Sequence, residues 1–261
     1  MDRSLAAGFD SVADIYDRAR PGYPEPLFDE ILRFAAAGSA SRVLEIGCGT
    51  GQATRSLAAR GCRVTAVEPG PNTAARAREN LAGYPGVEVI TATLEDADLP
   101  AGAFDVVCAA TAFHWVDPAV GVAKAHRLLR PGGVLALFSY EQVLGDVTPD
   151  FFVVSLPLYK RITGEADPPP TPARSAVKAA SEAMVRESGL FGDVTTRRYD
   201  WDQVYDAERY ALLVRTYSNT IALPEEKREE LLRELQALID GEFGGAITRP
   251  LVVTLVVGRK R

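Results

Sequence analysis

Histidine and cysteine are scarce in this sequence of 261 residues, with two of the first and three of the second. Cys48, Cys62 and Cys108 stand alone, with no C-x-x-C pair and no histidine beside any of them. That excludes a zinc pattern and a disulfide framework, so the thiols read as small buried residues in a reducing cytoplasm, and no metal is expected. Two histidines also exclude any mechanism built on a histidine cluster. Positive charge is in deficit: 29 Lys and Arg against 35 Asp and Glu leave a net charge of −6. A chain of that sign has no general attraction to a phosphate backbone or an anionic lipid surface, so neither nucleic acid nor membrane is an expected partner. Long apolar runs are missing as well. The longest strongly apolar one, Leu251 to Val257, falls far short of the roughly 20 residues that span a bilayer. The first residues, MDRSLAAGFDSVAD, carry Asp2, Asp10 and Asp14 and no continuous apolar stretch, unlike a secretory signal. These absences point to a soluble, cytoplasmic protein.

What is present is globular. A hydrophobic fraction of 47 % and a charged fraction of 25 % argue against disorder and coiled coil. From about residue 24 to 139 helical and strand patterns alternate, as in an α/β fold with a parallel sheet. A helix opening near Pro24 and Pro26 presents Leu27, Ile31, Phe34 and Ala35 at helical spacing and stops at Gly38. Strands are expected at 42–46, 63–67, 87–91, 104–109 and 134–139, apolar enough to be covered on both faces. Helices follow the first two, one to about Arg60 and one over about 72–82. Asp117 and Pro118 read as N-cap and first residue of a helix ending at Leu129, before the turn Arg130-Pro131-Gly132-Gly133.

Beyond Ser139 the rhythm changes. Thr148-Pro149 is expected to cap a helix over FFVVSLPLYKRIT bent at Pro157, and 164–172 reads as a surface connector. A helix over 173–188, a strand over 193–200, helices over 206–218 and 224–240 and a last strand over 248–258 complete the chain. Pro224 followed by Glu225 and Glu226 marks the start of the second of those helices.

The most informative stretch is Val43-Leu44-Glu45-Ile46-Gly47-Cys48-Gly49-Thr50-Gly51, which closes a strand and opens a helix. Glycines at 47, 49 and 51 let backbone N–H groups approach a ligand without Cβ interference, at a positive helix end. The next strand ends at Val67-Glu68, with Glu68 lying 17 residues after Gly51. A carboxylate there is either placed to accept both ribose hydroxyls of an adenosine or is a solvated strand-end acid. The spacing G-x-G-x-G, with Glu45 two residues ahead of it, differs from the G-x-G-x-x-G of a dinucleotide site.

That pattern resembles the first motif of the class I S-adenosylmethionine-dependent methyltransferases, and the resemblance extends over roughly residues 42–139. Glu68 matches the family's ribose-binding acid, and Arg130-Pro131-Gly132-Gly133 matches the turn before its fifth strand. Residues 104–117 (FDVVCAATAFHWVD) and the N-terminal ADIYDRARPGYP are similar to a small-molecule branch that includes trans-aconitate methyltransferase-like proteins. The resemblance implies a doubly wound, Rossmann-like α/β fold. Its sheet is mostly parallel and seven-stranded, with the last strand antiparallel. The whole of 1–261 is then one domain: an N-terminal lid at 1–23, a cofactor-binding core at 24–139, and cap helices with the last two strands at 140–261.

Carried over by position, Gly47, Cys48, Gly49 and Gly51 form the loop along the methionine part of S-adenosylmethionine, and Glu45 stands near its amino group. Pro69 follows the ribose acid. Thr93, Leu94 and Glu95 match the segment that holds the adenine, although many relatives have Asp in place of Thr93. Ala109, Ala110 and Thr111 floor the pocket below the sulfonium. Tyr16 and Arg20 either close over the cofactor, meeting its carboxylate or the substrate, or belong to a helix surface.

Methyl transfer is an in-line displacement in which proximity and alignment supply most of the acceleration. A base is needed only when the acceptor holds its proton at neutral pH. His114, just past the fourth strand, is the one candidate base by position; packing beside Trp115 is the other reading of it. Phe113, Trp115 and Tyr140 lie at strand ends, where they could border an apolar acceptor site. The expected function is methyl transfer to an oxygen or nitrogen of a small molecule, by a monomer or homodimer. A relative that binds the cofactor for a cyclisation or decarboxylation is the alternative, and a nucleic-acid methyltransferase fits less well.

Overall fold

Seven strands form one sheet in the computed structural model, which describes residue 10 and residues 13–145, 150–164 and 171–261. In chain order they are β1 (Arg42–Ile46), β2 (Arg63–Val67), β3 (Val87–Ile90), β4 (Phe104–Ala110), β5 (Leu129–Gln142), β6 (Phe191–Asp206) and β7 (Ala246–Lys260). They are ordered β3-β2-β1-β4-β5-β7-β6 across the sheet. The first five run parallel, and β7 lies antiparallel between β5 and β6. Strand order reverses between β1 and β4, and ligands bind in such sheets outside the carboxyl ends at that reversal.

Apolar residues fall on both sides of the central strands, and period-2 alternation divides them between two cores. Leu44 and Ile46 of β1, Val107 and Ala109 of β4, and Leu135 and Leu137 of β5 join one cluster. Val43, Val106, Cys108, Val134, Ala136 and Phe138 join the other, where Leu27, Phe28 and Ile31 of a helix over Glu25–Ala35 cover them. Those three helix side chains are fully buried. Each such burial stabilises by about 1.5–3 kcal/mol. Helices Gln52–Ala59, Pro71–Asn80 and Gly121–Leu128 complete the wrapping.

The C-terminal half builds a third core. Here helices α6 (Phe151–Val154), α7 (Leu156–Thr163), α9 (Ala207–Arg215), α10 (Ser218–Ile221) and α11 (Glu225–Glu242) are counted from α1 (Ala13–Ala19), α2 (Glu25–Ala35), α3 (Gln52–Ala59), α4 (Pro71–Asn80), α5 (Gly121–Leu128), with α8 at Glu182–Glu187. Tyr205, Tyr210, Leu213, Leu231, Leu235 and Ile239 fill this cap, and Ala19 of the N-terminal segment joins them.

Several boundaries differ from the sequence reading. Helix α2 ends at Ala35 with Ala36 left-handed at φ 49°, so Gly38 is not its cap. Helix α5 starts at Gly121 rather than Pro118, because Asp117 closes a turn on Ala119 N at 2.9 Å instead of capping a helix. Arg130-Pro131-Gly132-Gly133 is a bulge inside β5, where four residues stand opposite Asp105 alone. The expected helix over 173–188 breaks into a short turn at Arg174–Ala176 and α8, because Val177 is drawn extended into a small core with Val143 and Val252. The helix over FFVVSLPLYKRIT is two, α6 and α7, and β6 and β7 run longer than expected. The proposed cap Thr148-Pro149, residues 1–9, 11 and 12 of the lid, and most of the connector lie outside the described residues.

Candidate functional site

The glycine loop sits at the carboxyl end of β1, where the strand order reverses, and it is built from left-handed residues. Gly47, Gly49 and Gly51 have φ of 67°, 57° and 96°. A Cβ on Gly47 would stand 2.6 Å from the Ala112 Cβ, and one on Gly51 2.9 Å from Leu81 Cδ1. Four of the loop's N–H groups have partners within the protein, where the sequence reading expects them to approach a ligand. Gly47 N and Cys48 N donate to Val67 O at 2.8 and 3.2 Å, Gly51 N to Cys48 O at 3.0 Å, and Gly49 N to Glu68 Oε2 at 3.0 Å. The glycines therefore offer close approach of bare backbone rather than a set of anion donors.

Two carboxylates flank this loop. Glu45 is completely buried; its Oε2 accepts from Thr54 Oγ1 at 2.6 Å, while Oε1 is buried with no partner. Burial pushes its carboxyl up to about 7, against the Thr54 hydrogen bond and with help from the Glu68 charge. Glu68, at the tip of β2, accepts from Gly49 N with Oε2 and from Gly70 N with Oε1, both at 3.0 Å. Burial raises its carboxyl too, opposed by those two N–H groups. Each carboxylate oxygen has a second lone pair, so Glu68 keeps capacity for two more donors.

A cleft runs over the loop, bounded by Tyr16, Arg20, Tyr23, Glu45, Gly47, Cys48, Gly49, Gln52, Ala110 and Tyr140 among others. The N-terminal segment is its outer wall. Arg20 crosses it, donating Nε to Thr216 Oγ1 at 2.9 Å, Nη2 to Thr216 O at 3.2 Å and Nη1 to Tyr140 Oη at 3.1 Å. Its guanidinium lies between the rings of Tyr16 and Tyr217, with Cζ 5.0 and 5.1 Å from their centres. Burial pushes the Tyr16 phenol up to about 12, opposed by Arg20. Next to the lining residue Ala110, Thr111 is left-handed at φ 52°, an uncommon state for a β-branched residue. It is held by Thr111 N donating to Phe138 O at 2.7 Å and by its hydroxyl 2.7 Å from Tyr23 Oη.

The structure thus gathers Tyr16, Arg20, Glu45, Gly47, Cys48, Gly49, Ala110 and Tyr140 on one cleft. Other expected residues do not line it, Gly51, Glu68 and Thr111 among them. Ala109 and Leu94 are core residues, and Pro69 is exposed beside Glu68. Thr93 exchanges hydrogen bonds with Asp96, and Glu95 accepts from Asp117 N at 2.9 Å. His114, Phe113 and Trp115 form a short turn after β4 that does not border the cleft. Phe113 packs on the core, and His114 is exposed, its ring centre 4.9 Å from that of Trp115; partial burial lowers its pKa. Four cleft residues escaped the sequence reading: Pro21, Tyr23, Gln52 and Ala53. Position gave a signal for two, since Gln52 and Ala53 follow the last glycine directly. For Tyr23 only the fold brings residue 23 to Thr111.

Comparison with known proteins gives a consistent picture. Residues 44–137 match the family model of a methyltransferase domain. Over 135 residues, 52 % of this chain and 53 % of the relative, the sequence is 39 % identical to an uncharacterized methyltransferase of Mycobacterium tuberculosis. Over 138 residues, 52 % of each chain, it is 30 % identical to the malonyl-[acyl-carrier protein] O-methyltransferase of Serratia marcescens. The chain spans about half the length of these curated relatives. A solved structure described as a candidate type II methyltransferase of Anaeromyxobacter dehalogenans superposes with a TM-score of 0.66 at 27 % identity, over 93 % of this chain and 97 % of that one. A Haemonchus contortus phosphoethanolamine N-methyltransferase shares the fold, with a TM-score of 0.56 at 16 % identity over 96 % of this chain and 57 % of that one.

Proposed function

We propose that this chain, whose residues 44–137 match a methyltransferase domain, is a class I S-adenosylmethionine-dependent methyltransferase that methylates an oxygen or nitrogen of a small molecule. The observation that carries the cofactor assignment is the orphaned, fully buried Oε1 of Glu45 on the wall of the glycine cleft. A buried acceptor without a donor is costly, and an ammonium or its hydration shell is a partner that repays it. The loop is compatible with the same group, since Gly47 and Gly49 border the cleft with backbone alone. When bound, S-adenosylmethionine supplies an electrophilic methyl on a sulfonium.

The chain's own residues then do positioning work. Glu45 would hold the amino end and Glu68 the ribose hydroxyls. Arg20, fixed by Thr216 and Tyr140, gives the outer wall a positive charge suited to a carboxylate. Tyr23 and Thr111 are hydrogen-bonded beside Ala110. Exclusion of water and alignment account for the acceleration, with no side chain on the cleft placed as a strong base. His114 stands outside the cleft lining, and a base is needed only for an acceptor that keeps its proton at neutral pH. A small acceptor agrees with the net charge of −6, which disfavours a phosphate backbone.

The test is incubation with methyl-labelled cofactor and a panel of small acids, amines and phenols, scoring labelled product together with S-adenosylhomocysteine. Label on one class of small molecule supports the proposal. Tight cofactor binding with no methylated product from any class would point instead to another reaction on the same scaffold.

A further inference from the structure

Next to the cleft lies a buried arginine that methyl-donor binding does not use. Arg249 opens the apolar stretch of β7 and is 6 % exposed. Its Nε donates to Gln142 Oε1 at 3.0 Å, and its guanidinium lies over Tyr140 with Cζ 5.8 Å from the ring centre. Its Nη1 is buried without a hydrogen-bond partner among the described residues, and no ion pair found among them involves Arg249. The titratable groups that face it, Tyr140, Tyr159, Tyr205, Tyr210 and Tyr217, are phenols and carry no compensating charge at neutral pH. One of them, Tyr205, is itself fully buried with its hydroxyl unpartnered.

A buried charge without a counter-ion is expensive, and folded proteins keep one where it meets a ligand or a partner. The position suits a ligand. Tyr140 and Gln142 pair with Val253 and Leu251 of β7, which puts them at the carboxyl end of β5, where parallel sheets bind their ligands. Tyr140 is shared: it borders the cleft and accepts from Arg20, while its ring carries Arg249.

We propose that Arg249, anchored by Gln142 and flanked by Tyr140 and Tyr205, holds a carboxylate of the methyl acceptor, so that the substrate is a small carboxylic acid docked at the tips of β5 and β7. The assignment rests on the methyltransferase reading above, from which it takes the direction of the acceptor. One unmatched positive charge matches a monoanion. A phosphate dianion would bring a second negative charge to a single buried guanidinium whose neighbours Tyr140, Tyr159, Tyr205, Tyr210 and Tyr217 are neutral.

Calorimetry on the full chain tests this. The protein is first saturated with S-adenosylhomocysteine, then titrated with butyrate, valerate and benzoate, with their amides, and with glycerol phosphate. The acids are expected to bind and the amides to bind at least tenfold more weakly, because a charge-assisted hydrogen bond is worth about ten- to a hundredfold. Arg249→Gln should lose that preference and Arg249→Lys should keep part of it, both with S-adenosylhomocysteine affinity within about twofold of the parent. Arg249→Met gives a second readout that needs no ligand: removing an unmatched buried charge should leave the melting temperature unchanged or raise it, whereas a structural arginine would lower it. Equal binding of acids and amides, preference for glycerol phosphate, absence of any acid binding, or a lowered melting temperature for Arg249→Met overturns the carboxylate site while leaving the methyltransferase reading intact. Failure of the parent protein to bind S-adenosylhomocysteine overturns that reading instead.

Discussion

Glu45 is the residue with the largest consequence per atom. It is protonated at a pH where an exposed glutamate is ionised, because burial lifts its pKa from 4.5 to about 7. Its contribution to stability is therefore full below the unfolded value and is lost as pH rises through the folded one. Between 4.5 and about 7 the native state should lose about 3 kcal/mol relative to the unfolded chain. Chemical denaturation across that window measures this, and Glu45→Gln should flatten the profile. Binding of a cation beside Glu45 favours its ionised form, so affinity for S-adenosylhomocysteine should rise from pH 6 toward 8 in the parent and not in the variant. Glu68→Ala should weaken the same affinity by about 1–3 kcal/mol, since it removes a carboxylate and frees Gly49 N and Gly70 N. Unchanged affinity in calorimetry would remove Glu68 from the site. Both acids were readable in the sequence through their spacing from the glycines. The buried Arg249 was not, because an arginine opening a strand of apolar residues looks like a solvated strand end until β5 and β6 enclose it.

At the scale of the element, backbone conformation separates residues that look alike. Ala36 and Gly47 are both left-handed, at φ 49° and 67°. Ala36 closes helix α2, and its Cβ makes that conformation unfavourable, so Ala36→Gly should stabilise by about 0.5–1 kcal/mol in a denaturation curve. Gly47 has the opposite requirement. Gly47→Ala adds a strained φ and a contact of 2.6 Å with Ala112, and should cost about 1–3 kcal/mol in stability together with cofactor affinity. The glycine loop and the first five strands were legible because each rests on local signals: turn glycines, β-branched runs and proline at helix starts. Boundaries failed where tertiary contacts outweighed propensity. Val177 leaves a helical pattern to fill a pocket with Val143 and Val252. The Arg130-Pro131-Gly132-Gly133 turn becomes a bulge because Leu129 already pairs with Phe104. Its arginine returns to the sheet as Arg130 Nε donating to Asp105 Oδ1 at 2.6 Å.

Across the whole molecule, the N-terminal segment ties the two halves together. On the sheet side, Asp10 accepts from Thr73 N at 2.8 Å, Asp17 from Thr50 Oγ1 at 3.0 Å, and Asp14 pairs with Arg76. On the cap side, Arg20 bonds Thr216 and Arg18 lies 3.6 Å from Glu208. Arg18 and Glu208 are both largely exposed and hold little; Arg20 is the substantial link. Arg20→Ala should loosen the cap, visible as faster amide exchange around Thr216, and should weaken S-adenosylhomocysteine binding. Unaltered exchange there would show that apolar packing alone holds the cap in place. The sequence by itself determined the α/β sheet, the glycine loop and its two acids, because strand hydrophobicity, left-handed turns and residue spacing are properties of short segments. Only the tertiary structure decided which residues share the cleft. It brought Tyr23 to Thr111 and Arg20 to Thr216, buried Arg249 unpaired beside Tyr140, and left His114 outside. Those juxtapositions join segments far apart in the chain, and burial, which sets the charge state of Glu45 and the demand of Arg249 for a partner, exists only once the segments pack.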